Sequence, residues 1–209
     1  MHRSLCICAL LPRIATRTRV VLVLHQLEAV KSTNTGIVAA RCLSNSVVVY
    51  RGRAPEGAAA ETLEAALRSD AADAEPVLLF PHPSATPLAA RPPSDRPLLL
   101  VVPDGTWAQA ARARGRVRAL AELRCVSLPD AAGPIDRLRA PPSPGRLATL
   151  EAVAAALGIL EGPAVGAALM RVYRIMTERT LWTNGRLSAN QVTGGIPAGA
   201  RSHDPLGLG

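Results

Sequence analysis

An acidic residue, a glycine, a hydroxyl and an indole stand in a row at Asp104-Gly105-Thr106-Trp107. They follow the wholly apolar run Leu98 to Val102 and open an arginine-rich stretch of helical composition. A carboxylate in that position can take a proton from a bound group. It can equally cap the next helix by accepting from amides two or three residues on. Trp107 can serve a ligand at that strand end or fill the core; tryptophan occurs here only at Trp107 and Trp182. A second cluster is Ser32-Thr33-Asn34-Thr35-Gly36. Short polar side chains are poor helix formers and glycine is worse. The cluster therefore holds polar groups of a ligand, or lets the backbone approach closely, or is an irregular first turn. A third is Arg137-Leu138-Arg139, ahead of a helix with Thr149 and Glu151 in its first turn. Arg139 can clamp a carboxylate with two parallel hydrogen bonds or merely decorate a loop, and Glu151 suits a helix N-terminus.

The elements that must position these groups alternate. Apolar runs predict strands over Arg19 to Leu24, Ser46 to Tyr50, Pro76 to Phe80, Leu98 to Val102 and Cys125 to Leu128. Helices are expected over Glu28 to Leu43, Ala58 to Arg68, Thr106 to Leu120, Leu147 to Leu157 and Ala164 to Trp182. Proline-rich loops occupy Pro87 to Pro97 and Pro129 to Gly145, and a loop as long as the second is usually functional. Strands alternating with helices give an α/β fold with a mainly parallel sheet and helices on both faces. In such sheets ligands bind beyond the carboxyl ends of the strands, and all three clusters follow strand ends. The Gly- and Pro-rich tail from Gly194 is expected to be poorly ordered.

The 209 residues suffice for one domain with a sizeable core. Aromatics are 2%, so that core is built from Leu, Val and Ala. The formal net charge is +8, and Lys31 is the single lysine among 24 basic residues. Such a balance favours an anionic partner such as RNA. Arg112, Arg114, Arg116 and Arg118 point around their helix, either as a solvated face or as a broad phosphate-contacting surface. The four cysteines, Cys6, Cys8, Cys42 and Cys125, do not form the dense framework of a secreted disulfide protein. No apolar run reaches the length of a membrane span, and the first residues make a poor signal peptide. A cytoplasmic protein without a membrane partner is the expectation. No stripe of residues decides the oligomeric state. P-loop, dinucleotide-fingerprint, nucleophile-elbow and zincin motifs are absent from the sequence.

Taken in order, the three clusters resemble the DTW-domain family. Its Asp-x-Thr-Trp motif is Asp104-Gly105-Thr106-Trp107 here. The upstream element resembles His25-x-x-Glu28-x-x-Lys31-Ser32-Thr33-Asn34-Thr35-Gly36. The downstream element resembles Arg137-Leu138-Arg139 followed by Leu147-Ala148-Thr149-Leu150-Glu151-Ala152. Four residues alone recur by chance, whereas three ordered motifs are specific. The resemblance implies a SPOUT-like fold, knotted at a site for S-adenosyl-L-methionine (SAM). It also implies transfer of the 3-amino-3-carboxypropyl group of SAM to N3 of a tRNA uridine. The alternatives are a SPOUT-like RNA methyltransferase and a non-catalytic basic RNA-binding module.

On this resemblance the catalytic group is Asp104, Thr106 and Trp107, with Asp104 as general base or helix cap. Cofactor binding falls to Asn34, Thr35 and Gly36, to the strand ends at Phe80, Pro81, Pro103, Gly105 and Leu128, and to Arg139, Thr149 and Glu151. RNA binding falls to Lys31, Arg112, Arg114, Arg116 and Arg118. Residues 19–182 make up the catalytic domain, preceded by a cysteine-containing segment, 1–18, and followed by a tail, 183–209. Many family members carry a CxxC pair ahead of a CxC pair, which suggests a zinc knuckle. This chain departs from that pattern with Cys6-Ile7-Cys8 alone, two ligands of an incomplete tetrahedral site. It departs again at Asp136, where the family tends to carry an aromatic residue.

Overall fold

The computed structural model describes residues 3–29, 31, 34–51, 62–70, 73–105, 107–129 and 147–200, without the side chains at positions 3, 69, 70 and 107. In chain order the elements are β1 (Arg19–His25), α1 (Gln26–Ala29), α2 (Thr35–Cys42), β2 (Ser46–Arg51), α3 (Leu63–Asp70), β3 (Glu75–Leu79), β4 (Thr86–Pro87), β5 (Leu98–Asp104), α4 (Trp107–Arg116), α5 (Arg118–Ala121), β6 (Arg124–Ser127), α6 (Thr149–Leu160) and α7 (Pro163–Thr183).

The six strands form one sheet in the order β2-β1-β5-β3-β6-β4, and every pairing is parallel. Val20 to Leu24 and Leu98 to Val102 are buried throughout, as parallel strands covered on both faces must be. Alternate residues serve opposite faces. Val20, Leu22, Leu100 and Val102 pack with α2, α6 and α7, while Val21, Val23, Leu99 and Val101 pack with α3, α4 and α5. The expected α/β fold with a parallel sheet is thus present.

Strand order creates a crevice. The chain leaving β1 returns as β2 on one side, and the chain leaving β5 returns as β6 on the other. Between these neighbours the connections diverge, which is the topological switch point where open α/β sheets bind ligands. Leu24 of β1 lies opposite Asp104 of β5 at that point.

Three differences from the sequence expectation have local causes. The helix expected over Glu28 to Leu43 is split into α1 and α2. Asn34 takes an extended conformation (φ −67°, ψ 114°), and its side-chain oxygen accepts from the Ile37 amide at 2.7 Å. A cap of this kind starts a new helix instead of continuing the old one. The arginine-rich helix is broken at Val117, extended at φ −100° and ψ 106°, which separates α4 from α5. Thr86, just ahead of the expected proline-rich loop, and Pro87, its first residue, form β4, with Thr86 opposite Val126.

The stretch after α7 folds back onto that helix. Val192 is buried, the Thr193 amide donates to Glu178 Oε2, and Arg179 donates to the Gly195 carbonyl. Arg179 also donates to the carbonyls of Leu5 and Cys6, so one buried guanidinium ties both flanking segments to α7.

Candidate active site

Asp104 ends β5 at the switch point and is 7% exposed. Its Oδ2 accepts from Asn34 Nδ2 at 2.6 Å, and its Oδ1 accepts a short hydrogen bond from the Thr149 hydroxyl. Asn34 caps α2 and Thr149 is the first residue of α6. The carboxylate therefore joins the starts of two helices to the end of the central strand. Helix starts carry partial positive charge, which favours an anion between them. These bonds reach other elements, so Asp104 does more than begin the helix that follows it.

Gly36 makes this arrangement possible. A Cβ there would lie 2.9 Å from Asp104 Cγ and 3.1 Å from each carboxylate oxygen. Close approach was one of the alternatives the cluster left open, and at Gly36 it is to a protein carboxylate. Gly105 has φ +132°, and a Cβ there would meet Gln109 Oε1 at 2.7 Å. It turns the chain from β5 toward α4 in a conformation that L side chains rarely adopt.

The structure brings Asn34, Gly36, Asp104 and Thr149 into direct contact, although they come from three separated motifs. Thr35 opens α2 beside them. Pro103 lies within β5 opposite Val23. Phe80 and Leu128 follow β3 and β6, with the Phe80 amide donating to the Val126 carbonyl at 3.0 Å. Pro81 is exposed next to Phe80. Glu151 is buried, and its Oε2 accepts from the Ala148 amide at 2.7 Å, the backward reach that secures a helix start. Thr106, the Trp107 side chain, Arg137 and Arg139 lie outside the described residues.

The sequence reading left Glu28 without a role. It is 8% exposed and holds Lys31 Nζ at 2.7 Å, while the Lys31 side chain remains 53% exposed. The i,i+3 spacing of acid and base was the available signal. The imidazole of His25, beside them, accepts from the Leu27 amide through Nδ1.

The arginines of the basic stretch differ in availability. Arg112 and Arg116 are exposed, although Arg112 Nε donates to the Ala108 carbonyl. Arg114 is half-buried. Arg118 is paired with Glu122 at 2.7 Å.

Cys6 and Cys8 are exposed free thiols. The Cys8 amide donates to Cys6 Sγ, which holds the Cys6 thiol below its ordinary range. Among the described residues no group of three or more His, Cys, Asp or Glu converges as metal ligands. Two thiols do not fit a structural zinc, and no chemistry is assigned to one. No helix among the described residues is long and apolar enough to cross a membrane.

Residues 1–181 match the family described as the DTW domain. The curated tRNA-uridine aminocarboxypropyltransferase 2 of Drosophila melanogaster is 34% identical over 161 residues. The match covers 75% of this chain and 62% of that protein. No solved structure matches.

Proposed function

The chain belongs to the DTW-domain family, and from that membership we propose that it is a SAM-dependent tRNA-uridine aminocarboxypropyltransferase. The observation that carries this reading is the convergence of the three motifs on one buried carboxylate at the sheet's switch point. The name of the Drosophila melanogaster relative supports the choice of reaction and of tRNA as acceptor. In this reading the fold is the SPOUT-like class, with the knot expected of it around the donor.

The donor supplies the transferred group and a sulfonium leaving group: a bond forms from uridine N3 to its γ-carbon, the γ-carbon–sulfur bond breaks with its electron pair retained on sulfur, and methylthioadenosine departs. Positioning is then the main demand on the protein. The ends of β3, β5 and β6, at Phe80-Pro81, Pro103-Gly105 and Leu128, shape the donor cleft. Asn34, Thr35, Gly36, Thr149 and Glu151 fix its floor, and Arg139 holds the donor carboxylate. The N3 proton passes to the Asp104 carboxylate, while Thr106 and Trp107 orient the base. A donor with a positive centre suits a site whose buried acid has only neutral described partners, Asn34 and Thr149. Lys31, Arg112, Arg114, Arg116 and Arg118 serve tRNA phosphates.

Mass spectrometry of unmodified tRNA incubated with the protein and SAM tests the proposal. A gain of one aminocarboxypropyl group on a uridine, with methylthioadenosine released, is the expected result. A methyl-sized gain with S-adenosylhomocysteine would replace it with a methyltransferase. Measurable tRNA binding with neither product nor SAM binding would leave a non-catalytic RNA-binding module.

A further inference from the structure

We propose that Asp104 also selects the donor by its charge, so that the site prefers adenosyl compounds bearing a positive centre at the sulfur position over uncharged ones. This rests on the SAM reading above. The carboxylate is more than nine-tenths buried, yet its described partners, the Asn34 amide and the Thr149 hydroxyl, carry no charge. The basic residue of the same upstream motif is already engaged, since Glu28 holds Lys31 at 2.7 Å. Removing a charge from water is costly unless something compensates it. Two hydrogen bonds and two helix starts hold this charge in place, but no cation among its described partners cancels it.

A sulfonium is complementary to such a group. It is permanently positive and has no N–H or O–H to donate, so charge is the main handle by which a protein can recognise it. An acid whose oxygens already accept from Asn34 and Thr149 is fixed in place and still offers its field. In a dry cleft that field acts far more strongly than in water. The same arrangement links selection to reaction. As the bond to sulfur breaks, the positive charge disappears, and Asp104 takes the N3 proton and becomes neutral. One ion pair is thus converted into two neutral groups, and the uncharged thioether is no longer held by charge.

Isothermal titration calorimetry with three ligands of one skeleton tests this without turnover. SAM carries a positive sulfonium and sinefungin a positive ammonium on the carbon that takes the sulfur's place, whereas S-adenosylhomocysteine is an uncharged thioether. Wild-type protein should bind the two charged ligands roughly tenfold or more tighter than the thioether. Asp104→Asn should bring all three within about threefold of one another. Thr149→Ala keeps the carboxylate, so it should keep the preference while losing overall affinity. If Asp104→Asn does not fold, Asp104→Ser removes the charge and retains a hydroxyl. A wild-type protein that binds all three equally, or a neutral variant that keeps the preference, overturns the inference and leaves the donor assignment standing. A wild-type protein that binds none of the three overturns the donor assignment itself.

Discussion

Replacing Gly36 by alanine should destabilise the protein, although alanine is the better helix former. Gly36 is the second residue of α2, where the exchange would ordinarily gain up to about 1 kcal/mol. Here the new methyl would stand 2.9 Å from Asp104 Cγ. Ordinary contact needs roughly half an ångström or more beyond that. A flexible side-chain end could yield at little cost, but Asp104 is short, buried and held at both oxygens. If it stays, crowding costs about 1–3 kcal/mol. If it swings away, buried charge-assisted hydrogen bonds worth about 1.5–3 kcal/mol each are lost. Crowding is the cheaper of the two, and set against the helix gain it leaves a net loss of about 1–2 kcal/mol. For a chain of this length that lowers Tm by roughly 2–8 °C. The assay is scanning calorimetry of Gly36→Ala beside Gly158→Ala. At Gly158, within α6, an added Cβ would meet only the Gly166 Cα at 3.6 Å, an ordinary contact. That control should be neutral or gain about 0.5–1 kcal/mol. A Gly36→Ala protein as stable as its control would refute the reasoning, because the carboxylate would then not be clamped against α2.

Three further outcomes are expected. Gly166→Ala should be destabilising by about 2–3 kcal/mol in denaturant unfolding, since its Cβ would lie 2.9 Å from the Ala154 carbonyl oxygen and 3.1 Å from the Gly158 Cα. Those neighbours are backbone, so α6 and α7 would have to separate. Glu161 should steepen acid unfolding. Burial alone would raise its pKa, but hydrogen bonds from the Thr18 hydroxyl and the amides of Arg17 and Thr18 bring it below the ordinary value. A depressed carboxyl stabilises the fold above its unfolded pKa, and this contribution is lost as pH falls through the folded pKa. Glu161→Gln should therefore flatten the acid limb of stability against pH. Finally, Arg112→Ala combined with Arg116→Ala should weaken tRNA binding and reduce its log–log salt slope by roughly 2 in filter binding. An unchanged slope would remove those side chains from the RNA contact.

β1 and β5 were the most legible strands because each is covered on both faces and reads as an unbroken apolar run. Arg19 to Leu24 and Leu98 to Val102 lie within β1 and β5. Their order in the sheet was not legible, since nothing in an apolar run says which neighbour it will pair with. β4 was hidden for a different reason. Two residues, one of them a proline, have no periodicity, and Thr86 is in the sheet only because β6 offers it an edge. The break before α2 was present in the composition, as a run of short polar residues. Only the geometry separates an irregular turn from a cap whose amide also reaches Asp104. Glu28 escaped notice for the converse reason. An acid three residues before a lysine reads as a surface pair, and its burial depends on what packs over it.

The two ends of α6 show why the site lies where it does. Just past its last residue, Glu161 reaches Arg17 and Thr18, ahead of β1. At its first residue Thr149 reaches Asp104, at the end of β5. The helix thus runs back across the sheet, secured by a carboxylate at each edge. The donors differ in kind. Glu161 is bound by two backbone amides and a hydroxyl, and amides fixed in the chain cannot turn. Asp104 is bound by a hydroxyl and a side-chain amide. A hydroxyl can rotate to accept where it had donated. A carboxylate that must stay charged suits the first environment. One that takes and releases a proton, as proposed for Asp104, suits the second, because the Thr149 hydroxyl can follow its change of state.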